Sequence, residues 1–318
     1  MSFQSSNFPR DYEGECIEHM HANGIFFDSS LKCDGKLHRF SMDAKKHQPD
    51  EWYVCHEGTS LKGSPYLTCT YGTWSGGQEG YVYRSYVANK TLSNDELFEV
   101  KTREKERRKL FDQQREEDQA NRVRQAFEVW EQSIEQPTLP GHLTYLERKQ
   151  VKAYGIKYRV EKDGDPVIII PLCNIEGEFQ AIQKIHEDGT KRINGAKKGN
   201  FHLIGSIEED RPLYVVEGYA TGASIHEATN SPVVVTFDCG NLKSVVLNLR
   251  EKYPTANLIV AADDDRKTPG NPGKNKAEEA AKAYGCALIL PVFPKEAKLP
   301  LSGCFTDFND LQSHLKLP

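Results

Sequence analysis

Apolar residues recur with two different periods along this 318-residue chain, and the switches between them mark out its elements. Near the N-terminus "DYEGECIEHMHANGI" predicts a short helix ended by Gly24. The alternating stretches "GKLHRFSMD", "EWYVCHEG" and "YLTCTYGTWSGG" predict strands separated by turn residues, giving a small α+β unit that runs to about residue 90. From Asp95 to Gln136 there is neither Gly nor Pro, and both charge signs are densely mixed, which predicts one solvated helix; because acids interrupt its basic residues, a connecting role is favoured over nucleic-acid binding. Val123, Phe127, Trp130 and Ile134 place an apolar stripe toward its end, and "QPTLPG" marks a boundary. Beyond it "HLTYLERKQVKAYG" predicts a helix, and "PVIIIPLCNIEGEFQAIQKIHEDGTKRINGAKKGNFHLIG" predicts short strands turning at "EGE" and "EDGT".

The final hundred residues alternate regularly. Apolar strands "PLYVVEG", "PVVVTFD", "NLIVAADDD" and "CALILPVF" are separated by helical segments "YATGASIHEATN", "LKSVVLNLREKY" and "NKAEEAAKAYG". Continuous apolar strands in β-α alternation imply a parallel sheet with helices on both faces. Ligands bind such sheets beyond the carboxyl ends of the strands. Glu217 ends the first of these strands, and Asp263, Asp264 and Asp265 end the third.

Composition narrows the function classes. Hydrophobic residues make up 38% and charged residues 27%, as in ordinary globular domains, and the length suits about two of them. No run reaches about 18 apolar residues, and "MSFQSSNFPRDYEGE" lacks the apolar core of a signal peptide, so a cytoplasmic location is expected and no membrane partner. The net charge of -5 gives no global attraction to nucleic acid, so any such contact must be local. Cysteines 16, 33, 55, 69, 173, 239, 286 and 304 include no C-x-x-C, which fits reduced thiols. Cys16, His19, His21, Cys33 and His38 lack the tight pair spacing of a structural zinc site, so packing is favoured there over zinc. Trp52, Tyr53, Tyr71 and Trp74 are assigned to a half-buried sheet in preference to base stacking.

Two clusters remain as candidate chemistry. Lys184, Lys191, Arg192, Lys197 and Lys198 crowd one segment with little acid after Asp188, which suits either a phosphate-binding ridge or a solvated face. The run Asp263 to Asp265 repels itself unless something positive offsets it. Residues two apart on an extended chain share a face, so Asp263 and Asp265 point to one site while Asp264 points elsewhere or turns the chain. With Glu217 they make a hard oxygen set of the kind Mg²⁺ or Mn²⁺ prefers, and the strand-end positions favour this over a solvated acidic loop.

"VVEGYATGASI", "IVAADDDR" and "TDFNDL", preceded by "GKLHRF" and "KKGNFHLIG", resemble the Toprim-domain DNA primases of plasmids, phages and other mobile elements, the TraC type. The resemblance implies an α/β Toprim domain preceded by an α+β basic subdomain and a small N-terminal α+β unit. The boundaries it suggests are residues 1–92 for a unit in the place of a zinc ribbon but without its ligands, 93–136 for a charged connecting helix, 137–205 for the N-terminal part of the primase core, and 206–318 for the catalytic domain. It implies Glu217, Asp263 and Asp265 as catalytic and metal-binding residues, with Asp307 and Asp310 of "TDFND" as further metal-binding acids. That last motif lacks the lysine of the replicative enzymes, and "RKTPGNPGKNK" is longer than their usual loop. The implied activity is that of a DNA-directed RNA polymerase in DNA replication, a nucleotidyltransferase making short RNA primers with Mg²⁺ or Mn²⁺ and without zinc. Its partners would be a single-stranded DNA template, ribonucleoside triphosphates and a separate helicase, since no G-x-x-x-x-G-K-[ST] occurs. Lys184, Lys191, Arg192, Lys197 and Lys198 would hold template or triphosphate, whose charge the metal-binding acids repel. A Toprim nuclease using the same acids and an inactive nucleic-acid-binding module are the alternatives.

Overall fold

Strands of period two near the N-terminus pair with their neighbours in antiparallel fashion, as their turn-rich connections allow. The structure, a computed structural model, describes residues 11–42, 51–73, 82–89, 92–208, 210–264, 268, 270–294 and 305–315. The chain divides into two units, residues 1–113 and 114–318.

In the first unit, helix α1 (Tyr12–Ala22) precedes strands β1 (His38–Phe40), β2 (Glu51–Thr59), β3 (Pro65–Thr73) and β4 (Val82–Ala88), which form one sheet in that order. The sequence reading omits β4. Asp11 accepts from the Gly14 N–H at 2.7 Å and so caps α1. Tyr53 and Cys55 lie opposite Tyr71 and Cys69 on one face of the sheet, packed with Cys16 and Met20 of α1. Trp52, Tyr53 and Tyr71 are buried, which makes them core, and Trp74 lies outside the described residues. Cys16, Cys55 and Cys69 pack together in this core, and burial helps to push the Cys33, Cys55 and Cys69 thiols up. His19 is bonded to the Tyr71 hydroxyl at 2.7 Å and His38 to Asp34 at 2.7 Å.

Helix α2 (Asn94–Glu131) starts in this unit and ends in the second. Its start is a reciprocal capping box: the Ser93 N–H and hydroxyl donate to Glu96 while the Glu96 N–H donates back to the Ser93 hydroxyl. The Ser60 and Ser64 hydroxyls also donate to Glu96, at 2.6 Å each, and this cage holds its carboxyl down to about 2.

The second unit contains two sheets. Helix α3 (Gly141–Lys149) leads into β5 (Lys157–Val160), β6 (Pro166–Cys173), β7 (Phe179–His186) and β8 (Lys191–Gly195), an antiparallel sheet in chain order. One face carries Ile168, Ile170 and Ile185 against Tyr145 and Leu146 of α3. The other carries Val167, Ile169 and Ile182 against Ala126, Val129 and Trp130 of α2. The stripe of α2 is therefore shifted from the predicted one: Phe127 meets Phe179 at the rim with ring centroids 5.3 Å apart, and Ile134 lies past the helix end, where it bridges to Tyr158.

The next sheet contains β9 (His202–Ile204), β10 (Leu213–Val216), β11 (Val233–Val235), β12 (Leu258–Ala261) and β13 (Ala287–Ile289), in the order β13-β12-β10-β11-β9. Strands β10, β11, β12 and β13 are parallel to one another, but β9 pairs antiparallel with β11, so the sheet is mixed where an all-parallel one was expected. Parallel connections need a crossover of about a dozen residues. The link 205–212 is too short for one, and β9 enters as a reversed edge strand.

Helices α4 (Tyr219–Thr229) and α7 (Phe308–Leu315) cover one face, and α5 (Cys239–Lys252) and α6 (Pro272–Tyr284) the other. Val215, Val233, Val234, Val235 and Val260 are wholly buried between these layers, each worth about 1.5–3 kcal/mol of transfer free energy. Close contact explains the second glycine of "EGYATG": a Cβ at Gly222 would come within 2.9 Å of Val235 Cγ2 and 3.2 Å of Val216 Cγ2. Among the described residues no helix is long and apolar enough to cross a membrane.

Candidate active site

Parallel strands expose their carboxyl ends on one edge, and the chain places its acids there. Glu217 follows β10 and Asp263 follows β12, which are hydrogen-bonded neighbours. The backbone around Glu217 is fixed from β11: the Thr236 N–H donates to the Val216 carbonyl at 2.9 Å and the Phe237 N–H to the Glu217 carbonyl at 2.8 Å. Phe237 holds φ 69° to make this bond, a left-handed conformation that bulky residues avoid. Asp238 then caps α5, accepting from the Asn241 N–H at 3.1 Å.

The three aspartates separate as alternation requires. Asp264 is buried at 5% exposure; its backbone N–H donates to the Thr306 carbonyl at 2.7 Å and its carboxylate accepts from Asn271 Nδ2 at 2.8 Å. It thereby ties the end of β12 to the start of α6 and to the segment leading into α7. Asp263 is half-buried, and Asp265 lies outside the described residues.

Asp307 and Asp310 have a local role beside any chemical one. The Asp310 N–H donates to Asp307 Oδ1 at 2.8 Å and the Thr306 N–H donates to Asp310 Oδ2 at 3.0 Å, so the two acids cap α7 reciprocally. Burial, and then the charge of Asp310, push the Asp307 carboxyl up. Asn309 donates to the Lys149 carbonyl at 2.6 Å and to Ser224 Oγ at 3.0 Å, which holds α7 against the end of α3 and against α4.

Lys191 of the antiparallel sheet is an exposed cation. Lys191 lies opposite Ile185, on the face covered by α3, with its Nζ 5.9 Å from the Tyr145 ring centroid. Its ammonium feels the charges of Asp307, Asp263 and Glu217. Crowding by protein atoms, and then Lys149, lower its pKa, and the three acids act against that shift. The buried Tyr145 hydroxyl, which has no hydrogen-bond partner among the described residues, is pushed up by burial and by the charge of Asp307. Lys149, Tyr145, Asn309 and Asp264 thus join the candidate residues around these acids, although the sequence reading named none of them as functional.

The other basic residues do not gather with Lys191. Arg192 projects from the opposite face of β8 beside Lys184 and lines a cavity of about 440 Å³ with Asp165, His186 and Asp188. Lys184 is bonded to Glu161 at 2.5 Å. Lys197 is bonded to Asp238, and Lys198 is exposed in the following turn.

A divalent ion fits the donor chemistry of Glu217, Asp263 and Asp307, which offer only hard oxygens. Among the described residues no three acids, cysteines or histidines are drawn together tightly enough to hold an ion, and Asp265 stands outside that set.

Comparison with known proteins shows what the chain is similar to. Residues 212–315 match the Toprim domain. DNA primase TraC of Escherichia coli is 34% identical over 313 residues, an alignment covering 90% of this chain and 20% of that one. A second DNA primase TraC of Escherichia coli is 43% identical over 141 residues, covering 41% of this chain and 13% of its own length. The chain therefore spans a fifth or less of these relatives. A DNA primase domain from Pseudomonas aeruginosa superposes with a TM-score of 0.41 and 12% identity, covering 59% of this chain and 73% of that one. Residues 212–315 are thus a Toprim domain, carried in a chain that is similar to DNA primase TraC along 90% of its length.

Proposed function

We propose that this chain synthesises short RNA primers on single-stranded DNA by metal-dependent nucleotidyl transfer, in the replication of a plasmid, phage or other mobile element. The observation that carries the reading is the placement of Glu217 and Asp263 just past the carboxyl ends of the neighbouring parallel strands β10 and β12, within the residues that match the Toprim domain. Acids alone would repel a triphosphate, whereas an exposed lysine such as Lys191 gives phosphate oxygens a place to bind.

In this reading a 3'-hydroxyl attacks the α-phosphorus of a ribonucleoside triphosphate, the new P–O bond forms, and pyrophosphate leaves in line. Mg²⁺ or Mn²⁺ held by Glu217, Asp263, Asp265 and Asp307 would stabilise the attacking and leaving oxygens. Lys191 orients the triphosphate, with Lys149 adding positive charge behind it. Asp310 acts through Asp307 by fixing the start of α7, and Asp264 acts through Asp263 by fixing the end of β12. A separate helicase is the partner this activity calls for, because primers are needed where duplex has been opened.

The test uses circular single-stranded DNA of mixed sequence, ribonucleotides and Mg²⁺ or Mn²⁺, with products resolved on a denaturing gel. Short RNA chains with intact circles support primer synthesis. Linearised circles without RNA would identify a Toprim nuclease, and neither product would leave a binding module.

A further inference from the structure

Helix α2 contributes to a basic crevice at one end of the antiparallel sheet. The crevice holds about 470 Å³, within the range of ligand sites, and lies between Gln119 and Arg122 of α2, Gln180 of β7 and the turn that carries Lys198. Among the described residues no carboxylate lines it. Gly195 contributes at φ 112°, and a Cβ there would come within 2.5 Å of the Gln180 carbonyl oxygen, so the backbone forms the wall at that point.

The polar groups of the crevice differ in their commitments. Lys197 is held by Asp238, Asn174 Nδ2 donates to Glu178, and Asn200 Nδ2 donates to the Ala196 carbonyl. Arg122, Lys198, Gln119 and Gln180 make no ion pair or side-chain hydrogen bond among the described residues. Two uncommitted cations and two uncommitted amides therefore face one polar space. Arginine supplies a planar fork of donors suited to phosphate oxygens, and the amides suit the sugar or the same oxygens.

We infer that this crevice binds the sugar-phosphate backbone of single-stranded nucleic acid, with Arg122 as the main phosphate contact and Lys198 beside it. The inference rests on the reading of the chain as one that acts on single-stranded DNA, and it extends the binding surface from the Toprim edge to α2. It also gives the charged helix a role beyond connection. Because phosphate contacts carry no base information, binding here is independent of sequence.

Arg124 provides an internal control. It carries the same charge on the same helix two residues on, about 200° around the axis, and donates to Asn121 at 2.8 Å. The experiment measures fluorescence anisotropy of labelled oligo(dT) with the full chain across a salt series, for the unmodified protein and for Arg122→Ala, Arg122→Lys and Arg124→Ala. Both arginines are exposed on a helix, where alanine keeps the fold. Arg122→Ala is expected to bind roughly five- to tenfold more weakly, with a log-log salt slope reduced by about 0.7. Arg122→Lys should keep the slope, and Arg124→Ala should match the unmodified protein. If the unmodified protein binds oligo(dT) but Arg122→Ala binds it equally well, the crevice assignment is overturned and the primase reading stands. If the unmodified protein does not bind oligo(dT) at all, both fail. If Arg122→Ala weakens ATP binding alone, the crevice is a nucleotide site and the assignment to a strand is wrong.

Discussion

Substituting the adjacent residues Asp263 and Asp264 should produce opposite defects. Asp264 is 5% exposed, and its carboxylate accepts from Asn271 Nδ2 at 2.8 Å. Asn271 caps α6 at φ 41° and its own Oδ1 is buried without a hydrogen-bond partner among the described residues, so the site has no spare polar partner to offer. Asp264→Ala strands a buried amide donor, a loss of about 2 kcal/mol within the usual range of about 1–3. For a unit of this size that lowers Tm by about 4–8 °C. Asp264→Asn keeps an acceptor oxygen and should fall less than half as far. Asp263→Ala removes a half-buried acid from the strand-end cluster and should leave Tm nearly unchanged while abolishing synthesis. The assay is thermal unfolding by circular dichroism beside primer synthesis at a temperature well below the transition. Equal Tm losses for Asp263→Ala and Asp264→Ala would refute the division of roles across β12.

Asp265→Ala and Glu217→Gln should abolish primer synthesis with little change in far-ultraviolet circular dichroism, and full activity in either would remove that residue from the site. Lys191→Met should raise KM for ribonucleotides at least tenfold, whereas Arg192→Met, on the opposite face of β8, should change it less than twofold; equal effects would undo the assignment of Lys191 to the acidic edge. Burial pulls His202 down to about 4, so the folded state stays neutral where the unfolded chain takes up a proton near 6.5. Stability from this group is full above about pH 6.5 and falls by about 1.4 kcal/mol per unit as pH drops toward 4, or about 2 kcal/mol between pH 7 and 5. Urea unfolding at those two pH values measures it, and His202→Gln should lack that part of the fall.

The architecture was legible where one local signal decided it. Apolar strands followed by helices located β10 to β13, and the period of two separated Asp264 from Asp263. The same period also puts Lys191 and Arg192 on opposite faces, because both lie within β8; reading them as one ridge overlooked that a strand ran through the cluster. Lys149 was not legible, since its place beside Asp307 depends on the Asn309 bond, which joins residues 160 positions apart. The pairing of Lys197 with Asp238 is likewise a long-range contact. Strand β9 departs from the parallel pattern because the link 205–212 is too short for a crossover to β10, a constraint set by the spacing of the two strands and by no property of "FHLIG" itself.

Stoichiometric coupling between nucleotide incorporation and pyrophosphate release on unprimed template tests the central claim most directly. With single-stranded DNA, α-labelled ribonucleotides and Mg²⁺ or Mn²⁺, the unmodified protein should release about one pyrophosphate for each nucleotide bond formed. Asp263→Ala should do neither, and Lys191→Met should lower both together. Label that stays in free nucleotide while the template is cut, with no pyrophosphate released, would contradict nucleotidyl transfer at this edge of the Toprim domain.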